Sequence, residues 1–169
     1  LKEYSISLIF DKDVEGEMIQ FSQRFRFKHS KSQLNKGSKP HCTLVKWKTD
    51  YITEKQLSRL KKLMKPIEVV FSGITVLPAR ESESDGGFWL EISILKSDEI
   101  IDMVEKIVST IGEKNVINPV GKLLRPHVTI SRSYDKSITI KNLNPNLLRK
   151  KVIAKPTLGI PGKSFEFYV

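Results

Sequence analysis

The sequence predicts an α+β domain, and three observations carry that prediction. Short β-rich runs are interspersed with amphipathic helical segments in an irregular order, unlike the even alternation of a doubly wound parallel sheet. The chain has 169 residues, 39% hydrophobic and 28% charged, which suits a single soluble domain able to bury a full core without disulfides or a metal. One strand-like segment occurs twice, with the same flanks each time.

Tyr4 to Phe10 alternates, placing Tyr4, Ile6, Leu8 and Phe10 on one face, and reads as a strand. Val14, Met18, Phe21 and Phe25 then recur at helical spacing from about Asp13 to Lys28, after an acidic start suited to a helix N-terminus. From His29 to Pro40 the residues are Ser, Lys, Asn and Gly rich without periodicity, which predicts a flexible basic loop and leaves His29 solvated. A strand follows from His41 to Trp47. Thr53 is a capping candidate for a helix whose apolar side carries Leu57, Leu60 and Met64. Ile67 to Phe71 and Ile74 to Leu77 read as two strands. Past the turn-like RESESDGG loop come a strand from Phe88 to Leu95 and a helix opened by Ser97, with Ile100, Ile101, Val104, Val108 and Ile111 on its apolar side. A Gly, Asn and Pro rich stretch leads to a strand from His127 to Ser133, and further strands are expected near Val152 to Ile160 and Ser164 to Val169.

Charge is unevenly spread. Lys and Arg number 29 against 19 Asp and Glu, leaving +10. No acidic residue lies between Glu17 and Asp50, a stretch holding Arg24, Arg26, Lys28, Lys31, Lys36, Lys39, Lys46 and Lys48. After Asp135 only Glu166 offsets a set that includes Arg149, Lys150, Lys151 and Lys155. Such segments attract phosphates, those of nucleic acid among them, although a solvated lysine-rich face would look the same. No apolar run reaches the roughly eighteen residues of a membrane span, no signal-peptide pattern opens the chain, and the single cysteine, Cys42, cannot form an internal disulfide. A cytoplasmic monomer without membrane contact is the expectation.

The repeated segment carries the chemistry. Lys39-Pro40-His41-Cys42-Thr43-Leu44-Val45-Lys46 matches Arg125-Pro126-His127-Val128-Thr129-Ile130-Ser131-Arg132 as basic, Pro, His, any, Thr, aliphatic, any, basic. A single His-x-Thr-aliphatic is weak, but two with matched flanks take two of the three histidines in the chain. In a strand, residues two apart share a face, so His41 pairs with Thr43 and His127 with Thr129, while Cys42, Leu44, Val128 and Ile130 face the core. If both strands face one cleft, two imidazoles and two hydroxyls surround a small polar volume. A neutral imidazole there can take a proton from an attacking hydroxyl or water, an imidazolium can protonate a departing oxygen, and the hydroxyls can hold non-bridging phosphate oxygens.

Paired motifs of this kind, about half a chain apart, resemble the 2H phosphoesterase superfamily, which includes LigT-like 2′,5′-RNA ligases and 2′,3′-cyclic phosphodiesterases. The opening strand, the basic loop before His41, the Gly86-Gly87-Phe88-Trp89-Leu90 run and the helix before the second motif follow the family's order across nearly the whole chain. The resemblance implies one two-lobed, pseudo-symmetric domain over residues 1–169, with mostly antiparallel sheets flanked by helices around a central cleft. It implies catalytic His41 and His127, phosphate-binding Thr43 and Thr129, no cofactor, and an RNA, oligonucleotide or nucleotide substrate. Cyclic-phosphate hydrolysis to a 2′-phosphate is the implied reaction, with His127 as base and His41 as acid, the roles exchanging in the ligation direction. Cleavage of 2′,5′-linked oligoadenylates, or RNA binding without turnover, are the alternatives. Arg132 resembles an arginine that follows the family's second motif, but strict alternation puts it opposite His127, so it reaches the cleft only through strand twist.

Several side chains near the motifs have plainer readings. Cys42, adjacent to His41 in a strand, points away from it and suits a buried core position better than a nucleophile. No metal-ligand spacing is present. Trp47, Tyr134 and Phe10 are candidates to stack on a base, although strand aromatics more often pack in cores.

Overall fold

Alternation along the first strand sets the architecture. In the computed structural model, which describes residues 1–25, 30–78, 87–134, 146–160 and 166–168, β1 spans Lys2–Ile9. Tyr4, Ile6 and Leu8 enter the core from one face, while Ser5 and Ser7 lie on the other. Helix α1 (Lys12–Gln23) is opened by Asp11, whose carboxylate accepts from the Val14 amide at 2.9 Å, and buries Val14, Met18 and Phe21. It stops earlier than its apolar spacing predicts. The Gln33 side-chain amide donates to the carbonyls of Ser22 (2.7 Å) and Phe25 (3.0 Å), satisfying end groups that another helical turn would otherwise take. Phe25 still packs edge-on against Phe21 at 5.1 Å between ring centroids.

Part of the expected basic loop is a strand, β2 (Ser30–Gln33), paired with a motif strand. His29 and most of the RESESDGG loop lie outside the described residues. β3 (His41–Thr49) is followed by α2 (Glu54–Leu63), whose start is a reciprocal capping box between Thr53 and Gln56. The two strands expected over residues 67–77 are one, β4 (Ile67–Pro78), irregular where Phe71 pairs with Ile94 but Gly73 with Ser93. β5 (Phe88–Ile94), α3 (Asp98–Ile111, capped by Ser97), β6 (His127–Ser133), β7 (Lys151–Ile160) and β8 (Glu166–Tyr168) complete the elements. Gly87 precedes β5 at φ +92°, where a Cβ would come within 2.1 Å of the Ser133 carbonyl oxygen, so only glycine fits. No helix among the described residues is long and apolar enough to cross a membrane.

All pairings between named strands are antiparallel, in the order β2-β6-β5-β4-β7-β1-β3 with β8 on β7. The lobes therefore share one hydrogen-bonded path instead of holding separate sheets. β4 joins them, pairing through Ile67–Val70 with β7 and through its later residues with β5. Each lobe also sends a helix across to the other: α1 leaves β1 and packs on β6, while α3 leaves β5 and packs on β3. The segments after those helices cross as well. β2 pairs with β6, and Val116 bridges to Trp47 of β3. The buried side chains of both lobes form a single core cluster.

Candidate active site

β3 and β6 sit far apart along the sheet path yet pack directly against each other. On both strands the motif alternates as the sequence predicts. Cys42, Leu44, Val128 and Ile130 are at most 1% exposed, while His41, Thr43, His127 and Thr129 are half-buried. The imidazoles are fixed in the same way. His41 Nδ1 lies 2.9 Å from the Lys39 carbonyl and His127 Nδ1 lies 2.7 Å from the Arg125 carbonyl, in each case the residue two before the histidine. A carbonyl only accepts, so each Nδ1 carries a proton and the chemistry is left to Nε2.

Beyond the threonines the alternation breaks, equivalently in both halves. Ser7 pairs with Thr43 but Ile6 with Val45; Glu91 pairs with Thr129 but Leu90 with Ser131. Leu44 and Ile130 are thus extra residues, and each bulge moves the rest of its strand by one position. The consequence corrects the strict-alternation expectation for Arg132. It pairs with Trp89, which alternates with Glu91 and Ser93 on the face carrying Thr129 and His127, so Arg132 belongs to the cleft face. Lys46, its counterpart in the repeat, pairs with Ser5 on the face of Ser7 and Thr43.

Each bulge is held by the segment that crossed from the other lobe. The Asn118 side chain accepts from the Lys46 amide at 2.6 Å and donates to the Leu44 carbonyl at 3.2 Å. The Ile130 carbonyl accepts from the Leu34 amide at 3.0 Å and the Ser22 hydroxyl at 3.3 Å.

The aromatic candidates separate cleanly. Trp47 is 1% exposed and stacks on Tyr4 at 5.7 Å, and Phe10 packs against Phe71 at 5.6 Å, so both are core residues and do not reach a ligand. The β3 bulge and the pairing with Tyr4 of β1 put Trp47 on the apolar face. Tyr134 packs by Arg132. The Arg132 guanidinium lies over both the Tyr134 ring and that of Trp89, at 5.4 Å and 4.6 Å from the ring centroids. The aromatic that lines the cleft is Trp89, which the sequence reading did not single out. With Leu77, Pro78, Glu91, Arg125, His127 and Thr129 it bounds a pocket of 260 Å³, with both polar and apolar side chains in its wall.

Glu91 was also missed. It is 4% exposed, and Arg125 Nη1 holds one carboxylate oxygen at 2.7 Å while the other lies 3.3 Å from His127 Nε2. Its signal was present in the run Phe88-Trp89-Leu90-Glu91-Ile92-Ser93-Ile94, where the only acid shares a face with Trp89 and Ser93. In the first half, Ser7 occupies the corresponding position and its hydroxyl approaches that of Thr43 at 3.4 Å.

Burial holds the His41 imidazole below its ordinary value of 6.5; the Lys39 carbonyl opposes this, while the charges of His127 and Lys46 push the same way as burial. Burial drives the Cys42 thiol up to about 12 against the stabilising His127 amide, with the Glu91 charge adding to the rise, so it is no nucleophile. Among the described residues no group of three His, Cys, Asp or Glu is placed to hold a metal ion. Much of the basic excess is paired: Lys39 with Glu15, Lys46 and Lys48 with Glu3, Lys150 with Glu17, and Lys151 with Glu68.

No family model and no curated protein matches the chain. Solved structures do. Escherichia coli LigT complexed with 3′-AMP aligns with TM-score 0.62 at 11% identity, over 99% of this chain and 94% of that one. TT0787 of Thermus thermophilus aligns with TM-score 0.64 at 14% identity, over 99% and 94%. Kluyveromyces marxianus Usb1 with uridine monophosphate aligns with TM-score 0.52 at 14% identity, over 98% and 97%. The chain has the α+β fold of these proteins along its whole length.

Proposed function

From a fold shared with LigT and Usb1, we propose that the protein is a metal-independent phosphodiesterase that opens 2′,3′-cyclic phosphate ends of RNA or nucleotides to 2′-phosphates. The observation that carries the reading is the matched pair of imidazoles, each with Nδ1 bound to the carbonyl two residues back, so that Nε2 is the nitrogen that would transfer a proton. One Nε2 takes a proton from water as the water oxygen bonds to phosphorus. The other gives its proton to the ribose oxygen as the P–O bond breaks, and solvent restores both histidines. Thr43 and Thr129, one beside each histidine, donate to the non-bridging oxygens.

A nucleotide substrate is favoured by the pocket wall, where Leu77, Pro78 and Trp89 offer apolar and aromatic surface together with the polar Glu91, Arg125, His127 and Thr129. The nucleotides bound to LigT and Usb1 agree with it. Product analysis on a panel of 2′,3′-cyclic nucleotide, 2′,5′-linked and 3′,5′-linked oligoadenylate tests the reading. It predicts a 2′-phosphate from the cyclic substrate. Cleavage of the 2′,5′ linkage alone would move the assignment to oligoadenylate turnover, and salt-sensitive RNA binding with no product would make the protein a binding module.

A further inference from the structure

We infer that Glu91 is a specificity-determining residue: by neutralising Arg125 in the pocket wall, it keeps the site from holding a doubly charged monophosphate product more tightly than its singly charged phosphodiester substrate. The inference rests on the phosphodiesterase reading, which puts the phosphate against His127 and Thr129, and it is indifferent to which histidine gives a proton and which takes one. Glu91 and Arg125 line the same pocket as His127 and Thr129. Both carboxylate oxygens accept from the guanidinium, Oε2 from Nη1 at 2.7 Å and Oε1 from Nη2 at 3.5 Å. Of the five guanidinium N–H groups two are turned to Glu91, and the Arg125 side chain is half-exposed, so a phosphate oxygen can take another. The carboxylate stands close by, with Oε1 3.3 Å from His127 Nε2.

The first half of the repeat builds the same motif without such a pair. Ser7 occupies the position of Glu91 and approaches Thr43 through its hydroxyl at 3.4 Å, while Lys39, the counterpart of Arg125, pairs with Glu15 on α1 at 3.0 Å. Burying a carboxylate to 4% exposure costs desolvation that a hydroxyl avoids, and a buried ion pair commonly offsets little of that cost. The pair is therefore not what the motif needs in order to fold. The titratable and charged groups around Glu91 are Arg125 ahead of β6, His127 on β6 and Cys42 on β3, whose thiol the Glu91 charge helps to raise. Its partner on β4, Thr75, is uncharged, and Arg132 lies further along β6 over the rings of Trp89 and Tyr134.

Substrate and product differ in charge. A cyclic phosphodiester carries one negative charge, whereas the monoester that water leaves behind ionises a second time near pH 6 and carries close to two at neutral pH and above. Coulomb energy is proportional to the charge on the ligand, so an unbalanced arginine in this wall would stabilise the monoester about twice as much, in free energy, as the diester. Glu91 cancels that preference while leaving the guanidinium donors in place. Buried charge is little screened by salt, so the cancellation holds at physiological ionic strength, and the product leaves a site that still binds substrate.

Calorimetric titration at pH 8 with two ligands tests the inference: 2′-AMP, a monoester with two charges at that pH, and its methyl diester, which has one charge and the same base and sugar. Wild type is expected to bind the monoester no more tightly than the diester. Glu91→Gln keeps an oxygen that accepts from Arg125 and removes the charge, so the monoester should gain over the diester by at least about fivefold relative to wild type. Glu91→Asp, which keeps the charge, should retain the wild-type ratio. In turnover of the cyclic nucleotide, inhibition by the 2′-phosphate should strengthen relative to KM by the same factor in Glu91→Gln alone. A purely structural role would weaken both ligands alike, and an unchanged ratio in Glu91→Gln overturns the inference. A wild type that already prefers the monoester by fivefold or more overturns it too, and needs no variant to fold. Turnover with an unchanged ratio removes the inference alone, whereas no binding of either nucleotide and no turnover removes the phosphodiesterase reading and the inference with it.

Discussion

Replacing Asn118 by alanine isolates the part of the architecture that aims the first motif. Its side chain is the clasp on the β3 bulge, accepting from the Lys46 amide at 2.6 Å and donating to the Leu44 carbonyl at 3.2 Å. Alanine leaves both backbone groups without these partners at a part-buried site. At about 1 kcal/mol for each lost bond the cost is about 2 kcal/mol, and at about 2–4 °C per kcal/mol for a chain of this size Tm should fall by about 4–8 °C. The bulge also sets where Thr43 and His41 stand relative to the opposite strand. At 25 °C, with the protein still folded, kcat should therefore drop at least about tenfold, because displacement of a reacting group costs more rate than stability. Asn118→Asp keeps the acceptor for the Lys46 amide and loses the donor, so it should lie between alanine and wild type. Thermal unfolding and cyclic-phosphate turnover measured on the same samples check both numbers. An alanine variant with native Tm and native kcat would show that the bulge holds itself and would refute the reasoning.

His41 is held below the ordinary imidazole value, chiefly by burial, so it stays neutral into mildly acidic solution and the limb of the rate profile that it sets should lie below 6.5. Lys46→Met, which removes a cation that adds to this depression, should move that limb upward. The sign for stability follows from the same shift: the depressed value means that the contribution of neutral His41 is complete above 6.5 and is lost as pH falls through the folded-state value, which a pH series of urea titrations reads. Cys42, fully buried with its thiol pushed up to about 12, should resist a thiol-specific reagent in the native protein and react at once in denaturant. Trp89→Ala should raise KM for nucleotides by about 5–150-fold, the equivalent of about 1–3 kcal/mol of base stacking, with kcat little changed in steady-state assays.

How much of this was legible in the sequence depends on which interactions are local. His41 with Thr43 and His127 with Thr129 follow from a period of two, and Thr53 and Ser97 announce two helices because a cap is read within four residues. β2 gave no signal, since its residues are polar and it exists by pairing with β6, about a hundred positions away. The end of α1 was misread because Gln33, ten positions beyond its last turn, satisfies the carbonyls there. The side on which Arg132 lies was hidden for the same reason. Nothing in His127-Val128-Thr129-Ile130-Ser131 marks Ile130 as an extra residue; the bulge is set by Leu34 and Ser22 arriving from the other lobe. Glu91 was legible as the one acid in an apolar strand, but its meaning depended on knowing that β5 lies beside β6.

The most direct test of the central claim is hydrolysis of a 2′,3′-cyclic nucleotide in excess EDTA by wild type, His41→Ala and His127→Ala. Proton transfer by two imidazoles predicts turnover by the wild type that is unaffected by the chelator, with losses of at least about 10²-fold in each variant, the contribution expected of one acid or base. Activity abolished by EDTA, or retained when either histidine is removed, would contradict it.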